Sequence, residues 1–383
     1  MQIKKLKDCC TIIAGQSPES KHYNTEGIGL PFFQGKADFG ELYPTIRVYC
    51  SQPTKIAEKD DILLSVRAPV GPTNLAPCKV CIGRGLTAIQ PSEVLLTRYV
   101  LLFFRYFEAQ LASKGTGTTF KAITQDVVKN LEIPIPPISD QERIVARIEE
   151  LFSQLDAGVE TLKKTKAQLT VYRQAVLKEA FADCVESVTM GSVATMIDPQ
   201  PSHRTPPEFE NGVPYIGIGD IDYTEKTIRF KDARKVNPSV YEEHLQRYSL
   251  CVGDFVMGKI GTIGKPFRLP LPQNYTLSAN VILIQPNAEK INPEYLFWQF
   301  SSPLITEQLM EGKNETSQPA FGIQKARLLQ IKMCSSEVQD RIVCNIREKI
   351  SVCDNIEQTV SIALQQAEAL RQSILNEAFN GTH

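Results

Sequence analysis

Apolar residues recur at alternating steps of four and three along two long segments of the chain. The first series is Ile144, Ile148, Leu151, Leu155, Gly158, Leu162, Thr165, Leu169, Tyr172 and Val176. The second series is Ile342, Ile346, Lys349, Cys353, Ile356, Val360, Ala363, Ala367, Leu370 and Ile374. This spacing is typical of the a and d positions of a coiled coil. The pattern therefore predicts two long helices, each with one apolar stripe.

The two helical segments are copies of one sequence. They align without a gap at a constant offset of 198 residues, so that Asp156 returns as Asp354 and Arg173 returns as Arg371. A long helix with a single apolar stripe is not stable alone. We therefore expect the two copies to pack against each other as an antiparallel pair; a coiled coil between two copies of the chain is the alternative.

Both helices carry a start signal. Ser139 precedes Glu142 by three residues, and Ser336 precedes Gln339 by three residues. This spacing is typical of a capping box, in which the serine is the N-cap. Prolines immediately before the first box disfavour an earlier helix start.

The remaining residues form two globular halves that read as short strands, turns and some helix. Strands are predicted at residues 46–50, 61–66, 86–90, 213–218, 254–257 and 279–285, and helices at 98–114 and 293–311. The halves align weakly, Leu30-Pro31-Phe32 with Val213-Pro214-Tyr215 for example. The fold class expected is α+β, with two similar mixed domains separated by the helix pair. The expected domains are residues 1–138, 139–183, 184–334 and 335–383.

Composition limits the function classes. The chain has 383 residues, a net charge of −1, ten Cys and four His. Residues 1–138 hold 16 Lys and Arg against 12 Asp and Glu, and residues 184–334 hold 15 against 16. Contact with nucleic acid therefore depends on local basic loops. Cys78 and Cys81 have metal-like spacing, but packing is the favoured interpretation and no metal site is predicted.

Motifs of catalysis are absent from the sequence. It contains no G-x-x-x-x-G-K-[ST] phosphate loop and no Asn/Asp-Pro-Pro-aromatic motif of base methylation. No apolar run reaches the ~18 residues that a membrane span needs. We expect a cytoplasmic protein without a cofactor.

The chain resembles the specificity subunit of type I restriction-modification systems. The motif is Leu131–Pro137 (LEIPIPP), followed by Asp140–Val145 (DQERIV) and the long helix. A degraded copy without the prolines occurs at Leu329–Met333 and Gln339–Val343. The resemblance covers the whole chain, in the order variable half, helix, variable half, helix.

The resemblance implies a non-catalytic DNA-binding subunit. Each half would be a target recognition domain that reads one half of a bipartite, asymmetric site in double-stranded DNA. The helices would fix the spacer between the half-sites and dock two copies of a modification methyltransferase subunit, and a restriction/translocase subunit would join the complex. The alternatives are a coiled-coil scaffold that presents two ligand-binding domains without DNA recognition, and a methylase or nuclease whose active site is not recognised.

DNA-contacting residues are expected in basic, Gly-rich loops of both halves, because Arg, Lys, Asn, Gln, Ser and Thr bind phosphates and base edges. The first-half candidates are Gln34, Lys36, Arg67, Arg84, Lys114, Thr116, Thr118, Thr119 and Lys121. The second-half candidates are Lys259, Lys265, Arg268, Ser278, Asn280, Lys313, Asn314 and Lys325. Arg84 is the foremost candidate for a base contact, since the flanking glycines would let the backbone approach a groove closely.

Overall fold

The computed structural model describes residues 2–116, 122–260, 262–311 and 321–380. The chain divides into two compact units. Unit 1 comprises the residues up to Lys163 together with those from Ser361 onward, and unit 2 runs from Lys164 to Val360. Each unit thus contains one globular half and a segment of each long helix. The four-segment division expected from the sequence stays a prediction.

The first segment of unit 1, residues 2–163, contains short strands and three helices within its described residues, and the end of the second long helix completes the unit. The strands are β1 (Gln2–Lys5), β2 (Cys10–Ala14), β3 (Tyr23–Asn24), β4 (Leu30–Phe33), β5 (Tyr49–Cys50), β6 (Ile56–Ala57), β7 (Ile62–Ser65), β8 (Thr73–Leu75), β9 (Val80–Ile82), β10 (Leu86–Pro91) and β11 (Glu132–Ile135). The helices are α1 (Thr97–Ser113), α2 (Gln125–Lys129) and α3 (Ile138–Ala180), the last of which continues into unit 2. Short 3-10 turns occupy Leu6–Asp8, Ser20–His22 and Lys36–Asp38.

Unit 2 is also built from short strands and helices within its described residues. Its strands are β12 (Glu186–Thr189), β13 (Ala194–Ile197), β14 (Val213–Ile216), β15 (Ile221–Asp222), β16 (Thr227–Ile228), β17 (Lys235–Val236), β18 (Phe255–Gly258), β19 (Pro266–Arg268), β20 (Thr276–Leu277), β21 (Val281–Pro286) and β22 (Gln330–Met333). Its helices are α4 (Met190–Val193), α5 (Pro238–Leu245), α6 (Pro293–Phe300), α7 (Pro303–Glu311), α8 (Ile323–Arg327) and α9 (Ser336–Asn380), with a 3-10 turn at Ile218–Asp220.

Two of the sheets match strand by strand between the units. The order β2-β10-β7-β8 in unit 1 corresponds to β13-β21-β18-β19 in unit 2, and β1-β11 corresponds to β12-β22. In both units one pair is parallel, β4 with β9 and β14 with β20. The weak sequence alignment of the halves therefore reflects a shared fold, and the expected α+β class is confirmed.

Helix α3 begins one residue before Ser139, and α9 begins at Ser336 itself. Both serines lie inside the helices, so neither is the N-cap, and the capping-box prediction was wrong. Two glutamines in the first turns, Gln141 and Gln339, bind neighbouring backbone instead. Gln141 Oε1 accepts a 2.8 Å hydrogen bond from the backbone N–H of Leu96, just before α1, and Gln339 accepts one of 2.9 Å from Asn292, just before α6.

Within unit 1, the end of α9 packs antiparallel against the start of α3. Leu375 and Phe379 share the core with Val145 and Ile148, whereas Arg371, further back along α9, contacts a later part of α3. The Phe379 ring lies 5.3 Å from the Tyr99 ring of α1. The helix end is thus part of the core of this unit.

Unit 2 contains the corresponding pair, the start of α9 against the end of α3. Leu177 and Phe181 share its core with Val343 and Ile346. The Phe181 ring lies 5.3 Å from that of Tyr295 in α6, as Phe379 does from Tyr99 in unit 1. The predicted antiparallel pairing of the helix copies is therefore confirmed within each unit.

The residues that repeat between the helices pair with each other. In unit 2, Arg173 of α3 donates a 2.7 Å hydrogen bond to Asp354 of α9. In unit 1, Arg371 of α9 forms an ion pair with Asp156 of α3. One ionic contact is therefore made twice, once in each unit.

Near the middle of each long helix, several positions of the predicted apolar stripe are exposed rather than buried. Gly158 and Tyr172 are exposed on α3, and Ile356 and Leu370 are exposed on α9. The neighbouring positions are the less exposed ones, and they include Arg173 and Arg371. The apolar pattern alone does not identify these positions, because an arginine occupies a place in the seam.

Two element predictions were also wrong. The helix expected over residues 293–311 is two helices, because α6 ends at Phe300 and Pro303 begins α7. Proline is favoured at a first helical position and cannot continue the preceding helix. The strand expected at 46–50 is reduced to Tyr49–Cys50.

Candidate nucleic-acid interface

Three loops of unit 1 meet at one end of its sheets. Strand β7 ends beside the start of β10, where the Val66 N–H donates a 3.0 Å hydrogen bond to the Gly85 carbonyl. Strand β4 ends beside β9, where the Gly83 N–H donates to the Phe33 carbonyl at 2.8 Å. The loops that begin at Gln34, Val66 and Gly83 therefore converge.

Arg84 lies at the centre of this cluster. Its side chain is exposed, whereas Gly83 and Gly85 are buried. A Cβ on Gly83 would lie 2.6 Å from Gln34 Oε1, and a Cβ on Gly85 would lie 2.5 Å from the Gln34 carbonyl oxygen. The glycines therefore serve close loop packing inside the protein, rather than the approach of the backbone to a groove that the sequence suggested.

Ser17, which was not among the candidates, holds the cluster together. Its Oγ accepts a 2.8 Å hydrogen bond from Gln34 Nε2 and a 3.3 Å bond from the backbone N–H of Arg84. The Gln34 side chain is thus fixed next to Arg84, and the guanidinium of Arg84 remains exposed.

Arg67 and Thr116 extend the same surface. Ala122 forms an antiparallel bridge to Arg67 on one side and to Thr116 on the other. Both Arg67 and Thr116 are exposed. Lys36 lies near Glu108. Burial raises the pKa of Glu108, and the positive charge of Lys36 acts to lower it.

Lys114 lies apart from this cluster. Its Nζ is 5.3 Å from the centroid of the Phe107 ring, and it lines a cavity with Ile3, Tyr106 and Phe379 near the end of α9. Five further candidates lie outside the described residues: Thr118, Thr119, Lys121, Lys313 and Asn314.

The equivalent loops of unit 2 have the same backbone arrangement. The Lys259 N–H donates to the Asn280 carbonyl at 2.8 Å, as Val66 does to Gly85, and the Ser278 N–H donates to the Ile216 carbonyl at 2.9 Å, as Gly83 does to Phe33. The side chains at matched positions all differ. In the order unit 1 and unit 2, they are Gln34 and Gly217, Val66 and Lys259, Arg67 and Ile260, Gly83 and Ser278, Arg84 and Ala279, and Gly85 and Asn280.

These unit 2 loops line an open cavity of about 450 Å³. Its lining is His203, Thr205, Tyr215, Gly217, Asp220, Arg234, Lys259, Ile260, Ser278, Ala279 and Asn280. Three sequence candidates, Lys259, Ser278 and Asn280, are therefore brought together here.

The lining side chains are held by specific hydrogen bonds. Asn280 Oδ1 accepts from the Ile218 N–H at 3.1 Å and also from the Ser278 hydroxyl. Lys259 Nζ donates to Asp198 Oδ2 at 2.8 Å, and both side chains are largely buried. Much of the charge of Lys259 is thus balanced within the protein.

Two unit 2 candidates make structural contacts, and a third lies on another element. Arg268 binds both carboxylate oxygens of Glu294, and its guanidinium lies 3.5 Å from the centroid of the Phe297 ring. It is opposite Phe255 at the start of β18, whereas Lys259 follows the end of that strand. Lys265 lies 4.2 Å from the Tyr223 ring centroid, and Lys325 is on α8.

Sequence reasoning missed His203, Thr205, Tyr215 and Arg234 of the cavity. Arg234 directly follows the segment Thr227–Ala233, which carries no motif, and it reaches the cavity only because it lies opposite Tyr215. Local sequence patterns do not show which distant residue lies opposite on the neighbouring strand.

Across residues 2–116, 122–260, 262–311 and 321–380, no group of three or more His, Cys, Asp or Glu side chains is placed to hold a metal ion. No helix in that part of the chain is long and apolar enough to cross a membrane.

Comparison with known proteins shows what this chain is similar to. Residues 1–171 match the model of the type I restriction modification DNA specificity domain. Over this segment the chain is similar to the specificity subunits of type I restriction-modification systems. The segment matched by the family model covers all of the unit 1 loops described above and the first part of α3.

Several specificity subunits are similar to this chain. The MjaX type I restriction enzyme specificity subunit of Methanocaldococcus jannaschii is 40% identical over 167 residues, which are 43% of this chain and 38% of that protein. The EcoKI specificity subunit of Escherichia coli is 23% identical over 377 residues, covering 91% of this chain and 80% of that protein. The crystal structure of the HsdS subunit from Thermoanaerobacter tengcongensis matches at 47% identity and a TM-score of 0.38, over 41% of this chain and 38% of that one. The chain thus aligns with less than half the length of the first and third of these relatives.

Proposed function

We propose that this chain is the DNA-recognition subunit of a type I restriction-modification complex, in which unit 1 and unit 2 each read one half of a bipartite, asymmetric site in double-stranded DNA. One observation carries the proposal. Two backbone hydrogen bonds recur at the equivalent sheet ends of unit 1 and unit 2. The side chains that these loops carry differ between the units. A shared framework with different contact residues suits two different half-sites.

The chemistry of the unit 1 loops supports DNA reading. Arg84 and Arg67 are exposed donors, and Gln34 lies beside Arg84. Arginine binds the guanine O6 and N7 acceptors in a bidentate manner, and glutamine pairs with adenine N6 and N7. We assign this cluster to base contacts, and the exposed Lys36 and Thr116 to the phosphate backbone.

The long helices support the assembly part of the proposal. Each unit presents one antiparallel helix pair with one repeated Arg–Asp contact. Two equivalent helical surfaces in one chain would bind two copies of a single partner, the modification methyltransferase subunit. The helices would then set the spacer between half-sites, and methylation and cleavage would be carried out by the methyltransferase and restriction/translocase subunits.

The test is methylation mapping in cells that carry this chain with its modification subunit. We expect methylation of one bipartite motif. An Arg84→Ala variant should reduce or abolish base specificity at one position of one half-site, at a cost of about 1–3 kcal/mol in binding. Specificity for the other half-site should be unchanged. Lys79→Ala is the matched control, because Lys79 precedes β9 whereas Arg84 follows it.

Three outcomes would contradict the proposal. An equal loss of base specificity at both half-sites would show that Arg84 does not read one half-site. An assembled complex without salt-dependent duplex binding would favour a scaffold that does not recognise DNA. Methyl transfer or DNA cleavage by the purified chain alone would show a catalytic centre in this polypeptide.

A further inference from the structure

At the two positions matched to Arg67 and Arg84, unit 2 carries no arginine. The position of Arg84 is occupied by Ala279, and that of Arg67 by Ile260. Lys259, the basic residue nearest in sequence, is bound to Asp198 and largely buried. If unit 2 reads bases, its principal donor must therefore come from another element.

Arg234 meets this requirement. It is exposed, and within the described part of the chain it makes no ion pair. Its carbonyl accepts a 2.8 Å hydrogen bond from the Tyr215 N–H, next to the β14–β17 ladder. Residues opposite each other in an antiparallel pair project from the same face, and both Arg234 and Tyr215 line the cavity.

The surroundings of Arg234 are rich in hydrogen-bond donors. The Tyr215 hydroxyl is buried and has no partner among the described residues. Asn280 uses its Oδ1 to accept from Ile218 and Ser278, which leaves its amide NH₂ as a donor. The one carboxylate in the lining, Asp220, already accepts a 2.8 Å bond from the Gly217 N–H.

We infer that Arg234 is the principal base-reading residue of unit 2, with Tyr215 and Asn280 as neighbouring donors, and that it contacts the acceptor edge of a guanine. Guanine presents two acceptors, O6 and N7, that match a guanidinium. An open cavity lined by several donors suits a base edge, whereas a phosphate contact requires only an accessible charge. This inference rests on the proposed function, since it assigns a residue to DNA recognition by unit 2.

The test compares Arg234→Ala, Arg234→Lys and Lys235→Ala in the complex with the modification subunit. Lys235 is the matched control, because it is adjacent on the chain, carries the same charge and is outside the cavity lining. Successive residues of a strand project to opposite faces. The probe is duplex DNA that contains the motif mapped for the unaltered complex, with every single-base change in each half-site.

For Arg234→Ala, we expect binding of the mapped duplex to weaken about 5- to 150-fold and discrimination to disappear at one base pair of one half-site. Arg234→Lys should also lose that discrimination, because an ammonium lacks the bidentate geometry. Lys235→Ala should leave the motif unchanged. Circular dichroism of each variant checks that unit 2 is folded.

Several outcomes would overturn the inference. An unchanged motif in Arg234→Ala would remove Arg234 from recognition. A uniform loss over all sequences with a smaller salt slope would make it a phosphate contact. Full discrimination in Arg234→Lys would exclude bidentate reading. Failure of the unaltered complex to bind or methylate any specific sequence would instead refute the proposed function.

Discussion

The ion pair between the two long helices in unit 2 gives a quantitative test of how that unit is held together. Arg173 donates two hydrogen bonds of 2.7 Å, to Asp354 Oδ1 and to Glu357 Oε2. Burial alone would lower the pKa of Arg173, but the hydrogen bond to Glu357 and the charges of both carboxylates raise it. The guanidinium is therefore charged and doubly bound within the helix seam.

The expected magnitude follows from the exposure of these groups. Hydrogen bonds to charged groups contribute about 1.5–3 kcal/mol when buried, whereas exposed ion pairs contribute about 0.2–1 kcal/mol. The Arg173 side chain is 23% exposed, and those of Asp354 and Glu357 are 39% and 34% exposed. Solvent screening thus places the loss for Arg173→Ala at about 1–2 kcal/mol. Lys226, 2.7 Å from Asp354, keeps that carboxylate partly paired in the variant.

Unfolding by urea, followed through tryptophan fluorescence, measures this loss. The chain contains one tryptophan, and Trp298 lies on α6 in unit 2. A double-mutant cycle of Arg173→Ala and Asp354→Ala should give a coupling free energy of about 1 kcal/mol. The control is Gln174→Ala, an exposed neighbour on the same helix within unit 2, whose loss should be under about 0.5 kcal/mol.

Additive effects of Arg173→Ala and Asp354→Ala would refute the reasoning, since the pair would then contribute nothing to unit 2. A loss for Arg173→Ala no larger than that for Gln174→Ala would have the same meaning. The coupling should also shrink in high salt, because added ions screen partly exposed charges.

Two further predictions concern unit 2. Phe181→Ala should destabilise it by about 3–5 kcal/mol, because this ring is 3% exposed and packs on Tyr295; Tyr172→Ala, at an exposed position of the same helix, is the control, and equal shifts of the Trp298 transition would count against a core role. Burial raises the pKa of Glu294, but Arg268 and Arg347 outweigh it and bring the pKa below its ordinary 4.5. The stability from Glu294 is therefore present above pH 4.5 and is lost as the pH falls through the folded-state pKa. Glu294→Gln should make the decline of stability below pH 4.5 less steep, and an unaltered pH profile would show that the carboxylate contributes nothing.

The long helices and the shared skeleton of the halves could be predicted from the sequence because their signals are local or repeated. Helix α3 ends within one residue of the predicted Phe181, and strands β7, β10 and β21 lie where apolar runs end in turn residues. The seam was less predictable. Arg173 and Arg371 occupy it because each has an acidic partner on the other helix, and an apolar pattern does not identify such positions.

The candidate interface was only partly predictable. Arg84 was identifiable because its glycine neighbours mark a tight loop. Arg268 looked equally suitable, yet the side chains of Glu294 and Phe297 bind it at the other end of β18. Arg234 gave no signal, because its place in the cavity depends on strand pairing with a distant residue. Composition identifies side chains that can bind DNA, but strand pairing decides which of them share a surface.

The position of Phe379 has a consequence for the order in which the chain acquires its structure. Unit 2 is one continuous stretch, Lys164–Val360, so a growing polypeptide holds all of its residues before Phe379 has been added. Unit 1 must leave Tyr99 uncovered until the last turns of α9 have been synthesised. The half that is encoded first is therefore the half that closes last, and ribosome-bound chains that stop before residue 361 would carry an exposed aromatic surface on α1.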